Sequence, residues 1–501
     1  MNYADLFRAT LPETALEVAA LLVLVVDLGL LRKAALKVRV AVAALLGVAG
    51  CGAAAWFLLQ QGTEGLSYQS SGELLLTTGG FTAAAQVGIL VLTALTLLLL
   101  IDADFTHHVG EFVAVVLMAA TGGLLIAAAQ DLLVIFVGLE LLSLGLYILT
   151  AFAKRSGKSA EAALKYYLFG GMSAAFLLFG FSYLYGLTGS TNLHQILLMV
   201  YGWNASQTAP LLYVAIVLVA AGLGFKVAAV PFHLWAPDTY EGAPAPAAAF
   251  IASVSKVASF ALLIAISTAA LHVFDDGPAM PVSPGFLVSW SLILTVLSTA
   301  SMVLGNLAAL AQTSVRRLLA YSAIAHAGYI LLGLAFFSYS SRSAAAVLYY
   351  ILTYGLTTVG AFGVVAVVER ATGSDRLESF LGLHKRNPLL AAVLLVLFLS
   401  LAGIPPLVGF WAKFNLFAAV LGVSAGPVPF ALVALAVAFS AVSLYYYLQV
   451  LKRAYVMPAV DESPMKAHPV TLAVLLGIAA AVVVLGCFPA LLEGWIANFV
   501  K

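Results

Sequence analysis

The sequence predicts an all-α polytopic membrane protein with about 14 transmembrane helices, and three observations carry that prediction. Of its 501 residues, 63% are hydrophobic and only 9% charged. The mean hydropathy is +1.07. The few cations gather in short loops between long apolar runs. A soluble chain of this length carries about 25% charged residues, so a globular cytoplasmic enzyme is excluded. Lys plus Arg and Asp plus Glu nearly cancel, 23 against 22, which leaves neither a basic surface for nucleic acid nor an acidic tail. Cys51 and Cys487 lie far apart in apolar runs without a CxxC, which argues against iron-sulfur, zinc or disulfide frameworks and leaves both as packing residues.

A spanning helix needs about 20 mostly apolar residues. Fourteen runs meet this: 12–31, 40–59, 81–101, 112–129, 132–153, 162–187, 210–235, 244–270, 286–311, 318–337, 344–368, 389–422, 428–451 and 469–492, here called spans 1 to 14. The leader of span 1 carries Asp5, Glu13 and Glu17 against one Arg8, and Asp27 interrupts its far end; a cleaved signal peptide reads differently. The loops after spans 1, 5, 9, 11 and 13 hold sixteen cations, among them Arg32, Lys154, Arg316, Arg370 and Lys452, whereas the opposite side holds Arg8, Arg342 and Lys501. Short cytoplasmic loops retain Lys and Arg, so both termini are expected on the outer side. No loop is long enough for a catalytic domain, and none carries a Gly-rich phosphate cradle or clustered metal ligands.

The chemistry is therefore expected inside the membrane, where an ionisable residue costs at least about 2.5–3.5 kcal/mol and usually works for its place. Glu140 lies in span 5, Lys165 near the cation-rich end of span 6, Lys226 in span 7, Lys256 centrally in span 8 and Lys413 in span 12. The bland alternative is a set of static salt bridges that orient helices, and Lys165 is near enough to a helix end to snorkel. Two of the lysines neighbour helix breakers. Lys226 stands between Gly222, Gly224 and Pro231, and that proline frees the carbonyl of Val227. Lys413 follows Gly403, Pro405, Pro406 and Gly409. Span 12 would reach roughly 50 Å as one straight helix, so a break is predicted there, and unwound backbone at membrane depth requires a polar, hydrated setting.

Lys226 and Lys413 are separated by nearly the same interval as Glu140 and His326, which points to an internal repeat. Spans 4–8 and 9–13 each number five, and an odd number inverts the second unit relative to the first; broken helices at matching positions of inverted repeats mark ion sites near the midplane. The predicted organisation is an N-terminal three-helix segment (1–110), a first half (111–271), a second half (285–453) and a C-terminal helix (454–501). Desolvation disfavours a charged lysine and a nearby carboxylate favours it, so Lys226, Lys256 and Lys413, with His233 and His326 between them, form a candidate proton relay. His233 is seven positions from Lys226 and is expected on nearly the same helical face. His107, His108, His194, His272, His384 and His468 lie at loops or helix ends and carry no assignment.

The stretches GLGFKVAAVPFHLWAPDTYEGAPAP (222–246), SVSKVASF, VGLELLSLGLYIL, ALKYYLFGG, GNLAALAQTSVRRLLAYSAIAHAGYILLG and LAGIPPLVGFWAKF resemble the antiporter-like membrane subunits of proton-pumping NADH:quinone oxidoreductase (respiratory complex I), relatives of Mrp-type sodium/proton antiporters. The resemblance covers essentially the whole chain and is to the N-type subunits, because M-type forms differ after the tryptophan and carry glutamate at the position of Lys413. It implies a proton-translocating subunit of the bacterial inner membrane, with Glu140, Lys226, Lys256 and Lys413 as the relay and Lys165, His233 and His326 as accessory groups. It also implies that quinone reduction elsewhere drives outward proton transfer, with NADH, FMN, iron-sulfur clusters and quinone held by partner subunits and no cofactor in this chain. The alternative is an Mrp-type cation/proton antiporter subunit driven by an ion gradient.

Overall fold

A computed structural model describes residues 3–61, 67–70, 73–201, 209–272, 285–337, 341–423, 426–459, 461 and 463–499. In chain order the helices are α1 (Tyr3–Ala9), α2 (Leu11–Val25), α3 (Leu36–Gln60), α4 (Gly80–Leu99), α5 (Val109–Ala128), α6 (Leu132–Thr150), α7 (Gly157–Thr188), α8 (Leu193–Tyr201), α9 (Ala209–Lys226), α10 (Trp235–Gly242), α11 (Ala245–His272), α12 (Gly285–Leu310), α13 (Val315–Ala335), α14 (Ser341–Thr372), α15 (Leu383–Arg386), α16 (Pro388–Ala402), α17 (Val408–Val423), α18 (Pro427–Tyr455), α19 (Pro469–Cys487) and α20 (Ala490–Phe499). Among the described residues, eleven helices are long and apolar enough to cross a membrane, and α9, α16 and α17 are shorter apolar helices. Arg342 and His272 have side chains outside the described set, as is Lys501.

Local signals in the sequence set the helix ends. Asp131 caps α6, its Oδ1 accepting from Leu133 N at 2.8 Å, and Ser314 and Asn387 cap α13 and α16 in the same way. Such caps satisfy backbone donors that the first turn leaves free. Asp27 does more than interrupt span 1. It sits in a π-helical turn, Val26–Leu30, where its carboxylate takes both Arg39 Nε and an Arg39 terminal nitrogen at 2.7 Å and the Gly110 N–H at 3.1 Å. A π-turn interrupts the regular helical hydrogen bonding, and here its Asp27 ties α3, through Arg39, to the start of α5, through Gly110.

The loop between spans 2 and 3 holds a short antiparallel hairpin, Ser67–Ser70 with Glu73–Thr77. The helix-only reading missed it because two strands this short leave almost no periodic signal. Helices α11 and α13 form the centre: 94% of the most apolar window of each is buried, against 22% for α18. Helices α12 and α13 cross closely, and a Cβ at Gly305 or Gly328 would lie 2.7 Å from the Ala325 or Met302 backbone nitrogen. With no side chain there, backbones approach as membrane helices favour.

Both expected breaks are present. The chain leaves helical geometry between Lys226 and Trp235 and again between Ala402 and Val408. Val230–Pro231 and Pro405–Pro406 are cis, Ala228 has φ 56° and Gly403 φ 88°. Gly403 therefore occupies a left-handed position that a side chain would disfavour.

Candidate functional site

The two breaks expose backbone carbonyls, and in each a buried lysine takes them. Lys256 of α11 is 2% exposed and donates a hydrogen bond to the Val227 carbonyl, the group that Pro231 leaves without its helical donor. Lys413 of α17 is 6% exposed and donates to the Leu401 carbonyl at 3.1 Å, the Ala402 carbonyl at 2.9 Å and Ser440 Oγ at 2.7 Å. Each ammonium also faces an aromatic ring: Lys256 Nζ is 5.9 Å from Trp235, and Lys413 Nζ is 5.3 Å from Tyr329. Carbonyls and ring faces stabilise a cation without pairing it to a fixed carboxylate.

Lys226 ends α9. Its Nζ lies 3.6 Å from Glu140 Oε1 and donates to Ser143 Oγ at 2.5 Å. Glu140 and Ser143 are three apart on α6, hence on one face. The ion pair is loose: no hydrogen bond reaches the buried Glu140 Oε1.

His326 lies on α13 with Nδ1 hydrogen-bonded to the Tyr350 hydroxyl at 2.9 Å. Its ring is 4.9 Å from Tyr354 and 5.8 Å from Tyr329, and it faces the Leu401 carbonyl that Lys413 also holds. Tyr329 and the span-12 break thus join His326 to Lys413.

Two predicted site residues sit elsewhere. Lys165 pairs at the cation-rich face with Glu161 and Asp238, both at 2.7 Å, and its side chain is 41% exposed. Arg317 pairs with Asp238 at 2.6 Å and Glu241 at 3.1 Å, and Lys158 reaches Glu241 at 3.1 Å. Burial works against the Asp238 carboxylate, but hydrogen bonds from Lys165 and Arg317 outweigh it and hold this group below its ordinary value; Glu241 is lowered in the same way by Arg317 and Lys158. His233 does not share a helical face with Lys226. The helix ends at Lys226, so the seven-residue spacing has no helix to act along. The His233 ring reaches the Pro231 backbone and leaves its buried Nδ1 without a protein partner.

Sequence reasoning found the charged members and missed their polar partners: Ser143, Ser440, Tyr329, Tyr350, Tyr354 and the Asp238–Arg317 pair. Only the last had a signal, in the acidic residues that follow Trp235. Among the described residues, no cluster of His, Cys, Asp and Glu could hold a metal ion.

The family described as "NADH:quinone oxidoreductase/Mrp antiporter, TM" matches residues 129–440. The chain is 50% identical to NADH-quinone oxidoreductase subunit N 2 of Acidobacterium capsulatum, over 99% of each chain. It is 42% identical to NADH-quinone oxidoreductase subunit N 1 of Roseiflexus castenholzii, over 84% of this chain and 79% of that one. A chain of respiratory complex I from Thermus thermophilus superposes with TM-score 0.77 at 33% identity, covering 97% of this chain and all of that one. A chain of the Mrp complex from Dietzia sp. superposes with TM-score 0.79 at 21% identity, covering all of this chain and 97% of that one, a likeness of fold alone.

Proposed function

The chain belongs to the NADH:quinone oxidoreductase/Mrp antiporter membrane family, and we propose that it is the N-type, proton-translocating membrane subunit of a bacterial NADH:quinone oxidoreductase. Its partners are the other membrane and peripheral subunits of that complex. NADH, FMN, iron-sulfur clusters and quinone are handled by those subunits, and this chain contributes no redox site. It lies in the inner membrane with both termini outside and the cation-rich loops in the cytoplasm. Residues 111–271 and 285–453 act as two inverted halves, each with one broken helix.

The observation that carries this reading is the pairing of each helix break with a buried lysine that holds the freed carbonyls, Lys256 on Val227 and Lys413 on Leu401 and Ala402. A carbonyl solvates an ammonium without fixing its charge, so such a lysine can gain and release a proton as local hydration changes. The Glu140–Lys226 pair is the input. Strengthening it keeps the proton on Lys226, and loosening it releases that proton toward Lys256, then by way of His326 to Lys413 and outward. Energy from quinone reduction arrives as a change of field or hydration at Glu140 from the neighbouring membrane subunits. Lys165 and His233 are accessory, Lys165 by fastening α7 to the Asp238 network and His233 by lining the first break.

Lys413→Ala in the assembled complex, reconstituted in proteoliposomes, is expected to lower the ratio of protons pumped to NADH oxidised. An unchanged ratio would reduce the lysines to helix anchors. Isolation of the native assembly separates the remaining reading: recovery with quinone-reducing subunits supports this function, and recovery with antiporter subunits alone supports a gradient-driven exchanger.

A further inference from the structure

We propose that protons reach this relay from the cation-rich face through a column of hydroxyls, Tyr240, Thr358 and Tyr354, which ends at a single-water site beside His326. The proposal rests on the relay reading and adds an uptake route to its second half, by which His326 and Lys413 are reloaded from the cation-rich face once Lys413 has discharged.

A cavity of about 530 Å³ opens on the cation-rich face and reaches inward to Ala249 of α11 and to Phe362 and Ala366 of α14. Glu241 and Glu369 stand on its wall with Arg316 and Arg317; the mixed charge wets it without tuning it to an anion. From the cavity wall inward, α14 presents one stripe of residues. Ala366, Phe362, Thr358 and Tyr354 recur every four residues, so they stack over about 18 Å.

Two polar atoms along this path, one on α14 and one on α10, lack a hydrogen-bond partner in the protein. Thr358 is 2% exposed and Tyr240 fully buried, yet neither the Thr358 Oγ1 nor the Tyr240 hydroxyl has a hydrogen-bond partner in the protein. Buried hydroxyls of this kind are satisfied by water. The Tyr354 hydroxyl lies beside Thr358 and within electrostatic reach of Tyr240, and its ring packs against His326. There a second cavity of about 10 Å³ is lined by His326, Tyr350, Tyr354, Thr357 and Ser400. A site of about 10–15 Å³ with several polar partners holds one water.

Between the large cavity and the column, the Phe362 ring meets the Tyr240 ring edge-on with centroids 5.7 Å apart. This apolar contact is the barrier that stops the relay from leaking when it is not driven. Transfer conserves protons at every station. Each hydroxyl or water gains a proton from the cytoplasmic side and releases its own inward, ending neutral, so one proton leaves the cavity water and one arrives on the imidazole.

The test uses the whole complex in proteoliposomes, fed NADH and a short-chain quinone, and reads protons taken up per NADH oxidised. The double variant Tyr354→Phe/Thr358→Val is expected to lose as much of that ratio as Lys413→Ala loses, and Thr358→Ser beside native Tyr354 to retain it. A native ratio in the double variant, with the ratio lost in Lys413→Ala, overturns the route and leaves the relay standing; a native ratio in Lys413→Ala overturns the relay itself. Should the double variant not assemble, Ala366→Cys in a Cys487→Ser chain decides: a membrane-impermeant thiol reagent applied from the cation-rich face lowers the ratio if this cavity is the uptake site. Full labelling without effect refutes it.

Discussion

Lys226 leans on Ser143 as well as on Glu140, and that division decides how readily its proton can leave. A hydrogen bond to a charged group contributes about 1.5–3 kcal/mol. Ser143→Ala is therefore expected to lower the thermal midpoint of the purified complex and to draw Lys226 closer to Glu140; a calorimetric scan beside wild type checks the first. The surface network behaves differently. Lys165 and Arg317 hold the Asp238 carboxylate below 3.8, so its stabilisation is complete above pH 3.8 and is lost as pH falls through the lower folded value. In Asp238→Asn, the midpoint is expected to drop at neutral pH and to lose part of its acid dependence; an unchanged acid profile would mean that the pairs at this surface contribute nothing. The charges of both sites were legible in the sequence, because a lysine in an apolar run has a cost that must be answered. Ser143, Ser440 and Tyr354 were not, since a hydroxyl in a membrane helix costs little and leaves no pattern. His233 misled because a periodicity argument holds only while the helix continues.

The broken helices are where the sequence spoke most clearly at the level of elements. The excess length of span 12, its paired prolines and the glycines before Lys413 together foretold a break, and the structure sets it between Ala402 and Val408. The sequence could not reveal how closely the two pieces meet. A Cβ at Gly409 would come within 1.9 Å of the Ser400 carbonyl oxygen, whereas one at Gly422, further along the same helix, would meet nothing within 4 Å. Gly409→Ala is thus expected to destabilise the protein by about 1–3 kcal/mol. Gly422→Ala is expected to be neutral or to stabilise by up to about 1 kcal/mol. Urea or thermal titration of the two variants side by side measures the difference, and equal stabilities would mean that the break is not packed as described. The hairpin at Ser67–Thr77 and the π-turn at Asp27 went unseen for a related reason: each is set by one or two tertiary partners, which local composition does not encode.

At the scale of the molecule, burial sorts the helices into a central group that carries charge and an outer group that meets lipid. Helices α11 and α13 bear Lys256 and His326 and are almost wholly covered, while α18 turns Phe430, Val437 and Tyr445 outward, each more than half exposed. That sorting was only partly legible, because inner and outer helices are equally apolar and differ chiefly in what they face. The placement keeps Lys256, Lys413 and His326 buried, at 2%, 6% and 4% exposed, while the Glu140 side chain, 24% exposed, stands nearer the surface. A static scaffold would also bury its charges, so the deciding property is whether a lysine here must release its proton. Lys226→Arg isolates that property, since a guanidinium keeps the charge and can pair with Glu140 but does not deprotonate. Measured as protons pumped per NADH oxidised by the assembled complex in proteoliposomes, Lys226→Arg is expected to abolish this subunit's share of pumping while the complex remains assembled; pumping at the native ratio would contradict the relay.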